Sequence, residues 1–354
     1  VVSYSDQSLE GKPMECSRFV DELASSQDVT VRNVHLPDEA LTNFHVTILS
    51  EPPLPNLPLL EETLLRRILE HYSLSVSHLN TYLRCPVAFY YGTLLRIPVA
   101  KNAAMAFGSA VHYAMEHVFV KMKNNHDEFV GPETLVQDFE WYMRRHQDSF
   151  TDEDFVRRLE YGRLILPQYY NKYVNEWNKV AVVERNLKTV IDDIPINGKL
   201  DKLEFDGRYV NVVDYKTGKF EYAKKKFYPP TDDWKKEEPT FEEKYGGDYW
   251  RQGVFYKILV DNEDTKGWTV VSTEFDFIEP DRKTNEYYKH KIVINPEDLN
   301  VVRAQIKEAY RGIQNLEFSK GCNDSNCQWC NFVKNNFQLD ASLVEDDGEL
   351  EASI

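Results

Sequence analysis

The sequence predicts an α/β fold in which a helical N-terminal region leads into a sheet that packs against helices. Three observations predict it. Apolar residues recur at helical spacing from 58 to 178, the period drops from 3.6 to 2 across 180–216, and a helix returns before the last strands. The chain has 354 residues, 42% hydrophobic and 28% charged, which suits a large soluble core that needs no disulfide framework.

In chain order, residues 1–57 alternate short polar and apolar pieces and end in EPPLPNLP, which reads as an extended connector from an upstream region. Helices are expected over 58–72, 75–91 and about 103–123, followed by a long pair across 132–178 that Pro167 should bend or break. VAVVERNLKTVI (180–191), IPINGKLDKLEF (194–205) and RYVNVVDYK (208–216) read as three successive strands. Asp206-Gly207 is a two-residue hairpin signal that would pair Phe205 with Arg208. A charged, aromatic-rich insertion (219–246) precedes a helix around DYWRQGVFYKILV. Strands at 268–278 and about 287–294 and a helix at 297–315 complete a domain over 58–336, and the acidic stretch 337–354 reads as a mobile tail.

The formal net charge is −16, but residues 1–70 and 337–354 carry most of it and the middle is near neutral. Such a balance excludes a binder that coats nucleic acid by charge alone, and leaves room for an enzyme that handles it at a small site. No apolar run is long enough to span a bilayer, and VVSYSDQSLEGK has neither the basic nor the apolar part of a signal peptide, so a cytoplasmic location is expected. The missing initiator Met suggests a piece of a longer protein. Each Gly-Lys is followed by Pro, Leu or Phe, so the phosphate-binding GxxxxGK[ST] loop of a motor is absent.

Counted outward from that hairpin, Asp201 faces Val212, and Val212, Asp214 and Lys216 share its face. Asp201 and Asp214 would then be diagonal neighbours roughly 7–8 Å apart, a span at which two carboxylates can grip one divalent cation beside an ammonium. The same alternation also describes a solvated face. His112 lies over the helical turn that carries Gly108, where a missing side chain leaves room beside the imidazole. Gln252 and Tyr256 share one face of the following helix.

Together, Gly108-x-x-x-His112, Gly198-Lys199-Leu200-Asp201, Asp214-Tyr215-Lys216-Thr217-Gly218 and Gln252-x-x-x-Tyr256 resemble the motifs of the PD-(D/E)XK nuclease superfamily. The resemblance is to its RecB-like branch, found in AddB-type helicase–nucleases and CRISPR-associated exonucleases, and covers roughly residues 73–336. It implies a restriction-endonuclease-like core, a mixed central sheet flanked by helices. It further implies that His112, Asp201, Asp214 and the backbone carbonyl of Tyr215 bind a catalytic Mg²⁺ or Mn²⁺. Lys216 would orient or activate the attacking water, and Gln252 and Tyr256 would hold the DNA or the site geometry. Glu184 on the first strand is either an outer contact of that site or a surface residue.

Of five cysteines, three fall within CNDSNCQWC, whose C-x₄-C-x₂-C spacing lets a loop wrap one metal centre, with Cys85 as the fourth ligand to Cys322, Cys327 and Cys330. Similar cysteines in AddB-like and CRISPR-associated nucleases hold a 4Fe–4S cluster. Their C-x₂-C-x₅-C trio would end at Asn336, whereas the extra cysteine here is Cys322, so a zinc site or an empty one stays open.

Arg144-Arg145, Arg157-Arg158 and Lys224-Lys225-Lys226 with Phe227 and Tyr228 are candidate contacts to single-stranded DNA or duplex ends. The first 20 residues resemble the end of a superfamily 1 helicase motor, which would make a helicase a partner in the same chain or complex. The expected activity is a Mg²⁺-dependent DNA exonuclease in repair or recombination, with no membrane partner. The alternative is a catalytically silent DNA-binding or scaffold domain. Silent relatives lose the carboxylates or the lysine, and this sequence keeps them.

Overall fold

The computed structural model describes residues 61–99, 102–231, 239–263, 266–322 and 324–344, with Val20, Leu23 and Ala24 as isolated positions. Apart from those three, the expected connector over 1–57 lies outside the described residues.

Helix α1 (Glu62–Leu69) and α2 (Val76–Arg84) open the fold. The expected helix over 75–91 breaks at Cys85, which is extended (φ −158°, ψ 100°) because Pro86 disfavours helical backbone in the residue before it. A turn at Pro86–Ala88 and a π-helical stretch, Phe89–Leu94, follow. Helix α3 (Ala103–Asn124) starts where the Asn102 side chain accepts the Ala104 and Met105 amides. Helices α4 (Pro132–Arg145) and α5 (Asp152–Tyr173) form the expected long pair. Pro167 does not break α5: Ile165, Leu166, Tyr169 and Tyr170 around it are buried, and their packing outweighs one lost backbone bond.

Five strands, β1 (Ala181–Ile191), β2 (Ile194–Asp206), β3 (Tyr209–Lys216), β4 (Thr269–Phe277) and β5 (Lys289–Ile292), form one sheet in that order. β3 and β4 run parallel, joined through helix α6 (Asp248–Asp261), and the other neighbours are antiparallel. Helix α7 (Pro296–Gln314) and a C-terminal helix α8 (Gln328–Val344) complete it. The expected domain limit at 336 falls inside α8, which continues through 337–344; 345–354 lie outside the described residues.

Both faces of the sheet are covered, as a parallel pair requires. Leu200, Leu203, Val210 and Val212 pack against α1, α2, α6 and α7, whereas Val213 and Tyr215 point the other way into the core of α3, α4 and α5. Beyond the end of β3, the open edge of β2 is taken by Leu74, which exchanges backbone bonds with Pro195 and Asn197.

The hairpin register corrects the expected one. Asp206 pairs with Tyr209 and Leu203 with Val212, so the loop is Gly207-Arg208 and the pairing is displaced by two residues. Gly207 takes φ +61°, the left-handed value that a II′ turn places at its first loop position. A two-residue displacement keeps every side chain on its face, and it puts Asp201 opposite Asp214 instead of diagonal to it.

Candidate active site and cysteine centre

The site lies where β2 and β3 part. Their ladder ends at Lys202–Val213, and the next free amide, Tyr215 N–H, donates to the Asp201 carboxylate (Oδ2, 2.9 Å) instead of to a β2 carbonyl. The other Asp201 oxygen faces His112 Nδ1 at 3.1 Å, brought over the sheet by α3. The space left by Gly108 is taken by Thr217, whose hydroxyl would stand 3.0 Å from a Cβ there. Gly198 has an equally local reason: a Cβ would sit 2.7 Å from Leu259, so glycine lets α6 close on β2.

α6 supplies the second half. Lys216 Nζ lies 2.7 Å from Asp214 Oδ2 and donates to Gln252 Oε1 at 2.9 Å. Gln252 Nε2 donates to Asp214 Oδ1 (2.8 Å) and to the Tyr256 hydroxyl (2.7 Å), which itself donates to Asp214 Oδ1 (3.2 Å). The Lys216 ammonium also stands 4.5 Å over the Tyr249 ring. All six expected side chains thus converge at one fork, in two hydrogen-bonded groups.

Burial alone would lower the His112 imidazole, but the Asp201 charge outweighs it and holds it above its usual value. Burial would raise Asp201, and the His112 charge and bond keep it below the usual carboxylate range. Burial pushes Asp214 up, opposed by Lys216. Lys216 is raised: burial would lower it, and the Asp214 charge more than offsets that. Tyr256 is driven well above a free phenol by burial first and then by Asp214, so it keeps its proton and donates.

His112, Glu184 and Asp201 each offer a ligand atom within 4.8 Å of the others, and two carboxylates with an imidazole suit a hard divalent cation. Asp214 is not in that trio; both its oxygens are engaged by Lys216, Gln252 and Tyr256. Glu184 is the residue the sequence left undecided. Its neighbours Val183 and Arg185 pair with Lys202 and Leu200, which places it opposite Asp201 at an interruption of the ladder, with φ +51° and an ion pair to Lys199. Arg251 escaped notice altogether. Fully buried, it donates to Gln305 (2.8 Å), Asn80 (2.6 Å) and the carbonyls of Tyr245 and Gly246 (both 2.8 Å), fixing the first turn of α6 beside Gln252. The signal was a lone Arg in a helix whose Trp250, Val254, Phe255, Ile258 and Leu259 are all core.

Of the expected DNA contacts, Phe227 is not available for stacking: it is buried against Phe275, Phe277 and His290. Tyr228 and Tyr222 are exposed instead, and Tyr228 borders a cleft of about 330 Å³ with Phe220, Lys224 and His290. Arg144 and Arg157 are paired on their own helices with Glu140 and Asp154, and Arg145 lies over Trp141.

A second centre brings Cys85, Cys322, Cys327 and Cys330 within 4.8 Å of one another. Burial, then the neighbouring thiols, raises Cys85, and burial lifts Cys330 to about 11. Cys327 is lowered: against the effect of burial, the amides of Cys330 and Trp329 and the adjacent thiols favour its thiolate. Trp329 stacks on Tyr91 at 5.4 Å, so the start of α8 packs on the π-helical stretch.

No helix among the described residues is long and apolar enough to cross a membrane. No curated protein sequence matches the chain. Among solved structures, a candidate exonuclease from Eubacterium rectale is similar at 14% identity and a TM-score of 0.44, over 78% of this chain and 94% of its own. The protein SSO0001 is similar at 14% identity and a TM-score of 0.28, over 77% and 93%. A sequence profile of the PD-(D/E)XK nuclease superfamily matches residues 73–334, most of the chain, in a mixed five-stranded sheet flanked by helices. The chain belongs to the PD-(D/E)XK nuclease superfamily.

Proposed function

We propose that this protein is a metal-dependent deoxyribonuclease, an exonuclease of the RecB-like branch that works beside a helicase motor in DNA repair or recombination. The observation that carries the reading is the fork itself, where a carboxylate–imidazole pair and a carboxylate–lysine pair meet at the point where two strands separate.

In this reading His112, Asp201, Asp214 and the Tyr215 carbonyl, with Glu184 beside them, hold Mg²⁺ or Mn²⁺. When bound, the ion would supply a lowered water pKa and a polarised phosphoryl oxygen. The protein residues do the rest. Lys216, held charged by Asp214, stabilises negative charge as it grows on the phosphate. Gln252 fixes both partners of that pair and Tyr256 fixes Asp214, so the ammonium is placed before substrate arrives. Tyr215 N–H holds Asp201 in the rotamer that faces His112. Exposed Tyr228 and Tyr222 and the lysines at 224–226 offer stacking and phosphate contacts for a strand leading to the fork.

The test is cleavage of end-labelled linear and circular DNA, single- and double-stranded, with Mg²⁺ or Mn²⁺ and with EDTA, beside Asp214→Ala. Metal-dependent cleavage lost in the variant is expected, and circles left intact would support the exonuclease assignment. Metal-independent cleavage, or full activity in the variant, would overturn the site.

A further inference from the structure

The family resemblance implies a 4Fe–4S cluster at the cysteines, and their geometry does not fit one. Around a single tetrahedral ion every sulfur lies about 2.3 Å from the same centre, which sets the sulfurs about 3.8 Å apart. Cys85 to Cys330 is 3.6 Å and Cys322 to Cys330 is 3.8 Å. A cubane cluster places each thiolate on a different iron with the cluster body between them, so its sulfurs stand about 6 Å apart. All four sulfurs here lie within 4.8 Å of one another, too close for that spread. The sequence agrees: Cys327-x-x-Cys330 is the chelating step of structural zinc sites, and Cys322 replaces the ligand that a cluster trio would need at Asn336.

We infer that Cys85, Cys322, Cys327 and Cys330 hold one structural zinc ion. Four protein sulfurs leave no open position, so the site is closed to substrate. The ion would clip the break after α2 to the start of α8, two points 245 residues apart in sequence. Ala88 N–H, donating to Cys85 Sγ at 3.4 Å, already orients one ligand. The inference does not depend on the nuclease reading: a chain that cleaved no DNA would still carry the zinc.

The experiment is metal analysis of the full chain, purified without oxygen from cells supplied with iron and zinc and overproducing iron–sulfur assembly proteins. Expected is a colourless protein with one zinc per chain that persists through dialysis against EDTA and is released when a mercurial blocks the thiols. The cobalt-substituted protein should show the intense ligand-field bands of a tetrahedral thiolate site. A brown protein with about four irons and matching acid-labile sulfide would overturn the inference. So would a preparation that holds neither metal. Cys322→Ser should lower zinc occupancy at least twofold, and the wild-type metal ratio decides the question even where that variant folds poorly.

Discussion

At the fork between β2 and β3 every charged group already faces a partner within the protein: Asp201 faces His112, and Asp214 faces Lys216 with Gln252 and Tyr256 behind them. At the cysteine centre, four thiols face mainly one another. The first arrangement is electrically closed without a metal, so it should keep its shape when metal is withdrawn. The second gathers groups that repel once ionised, so under the zinc inference its shape would depend on the ion. In the proposed reading one centre would use a metal for chemistry and the other for structure.

The largest expected effect breaks the first centre without touching the second. Asp214→Ala or Lys216→Ala should lower cleavage by about a thousandfold or more, roughly 4 kcal/mol of barrier, while the folded protein keeps its bound zinc. Loss of zinc together with activity would mean the variant has simply unfolded.

Breaking the second centre should do the reverse. Cys330→Ser, at a position only 2% exposed, removes a ligand from a site that ties α8 to the body of the domain. About 4 kcal/mol of stability should be lost, with new proteolytic cutting around 318–330, while the folded fraction still cleaves DNA. If thermal unfolding is unchanged and no new cut is seen, the centre is not a staple.

Arg251 sharpens the comparison because it joins the two regions. Its guanidinium bonds Asn80 on α2, one turn before Cys85, and Gln305 on α7, from the residue next to Gln252. Arg251→Met should cost about 3 kcal/mol by stranding buried acceptors, and both metal retention at the cysteines and cleavage at the fork should fall together. A variant that affects only one of them would show that the regions are independent.

Glu184 tests how far the fork extends. Glu184→Gln is expected to raise the Mg²⁺ concentration for half-maximal cleavage about tenfold, with a smaller change in rate at saturating metal. An unchanged metal titration would return Glu184 to the role of a surface residue paired with Lys199.

These residues also mark how much was legible in the sequence. The six side chains of the fork could be read because residue type, order and spacing each restrict the chemistry, and because a hairpin displaced by two residues leaves the face of Asp201 unchanged. The register itself could not be read, since Asp206 pairs with Tyr209 and only the folded turn shows that Arg208 is a loop residue. Pro167 misled because propensity is local while the packing of Tyr169 and Tyr170 is not. Glu184 was ambiguous because its position opposite Asp201 comes from a ladder interruption on β1, and Arg251 was missed because its partners lie on three other segments.

The smallest expected effect is in the pH dependence of the fork. His112 is held above its ordinary value and Asp201 below its own, so their mutual stabilisation is complete only between about pH 3.8 and 6.5. It fades as pH falls through the lowered Asp201 value, and again as pH rises through the raised His112 value. A metal ion needs the opposite state of the histidine, a neutral ring, so protons and metal compete for the same Nδ1 region. The thermal shift produced by Mg²⁺ should therefore grow from pH 6 to pH 8, by up to about tenfold in apparent affinity per unit while His112 still titrates. In His112→Asn that pH dependence should flatten, because the competing proton is gone. A shift of equal size at both ends of the range in the unaltered protein would place the metal away from His112, and would leave Asp201 and Glu184 as its only holders in the trio.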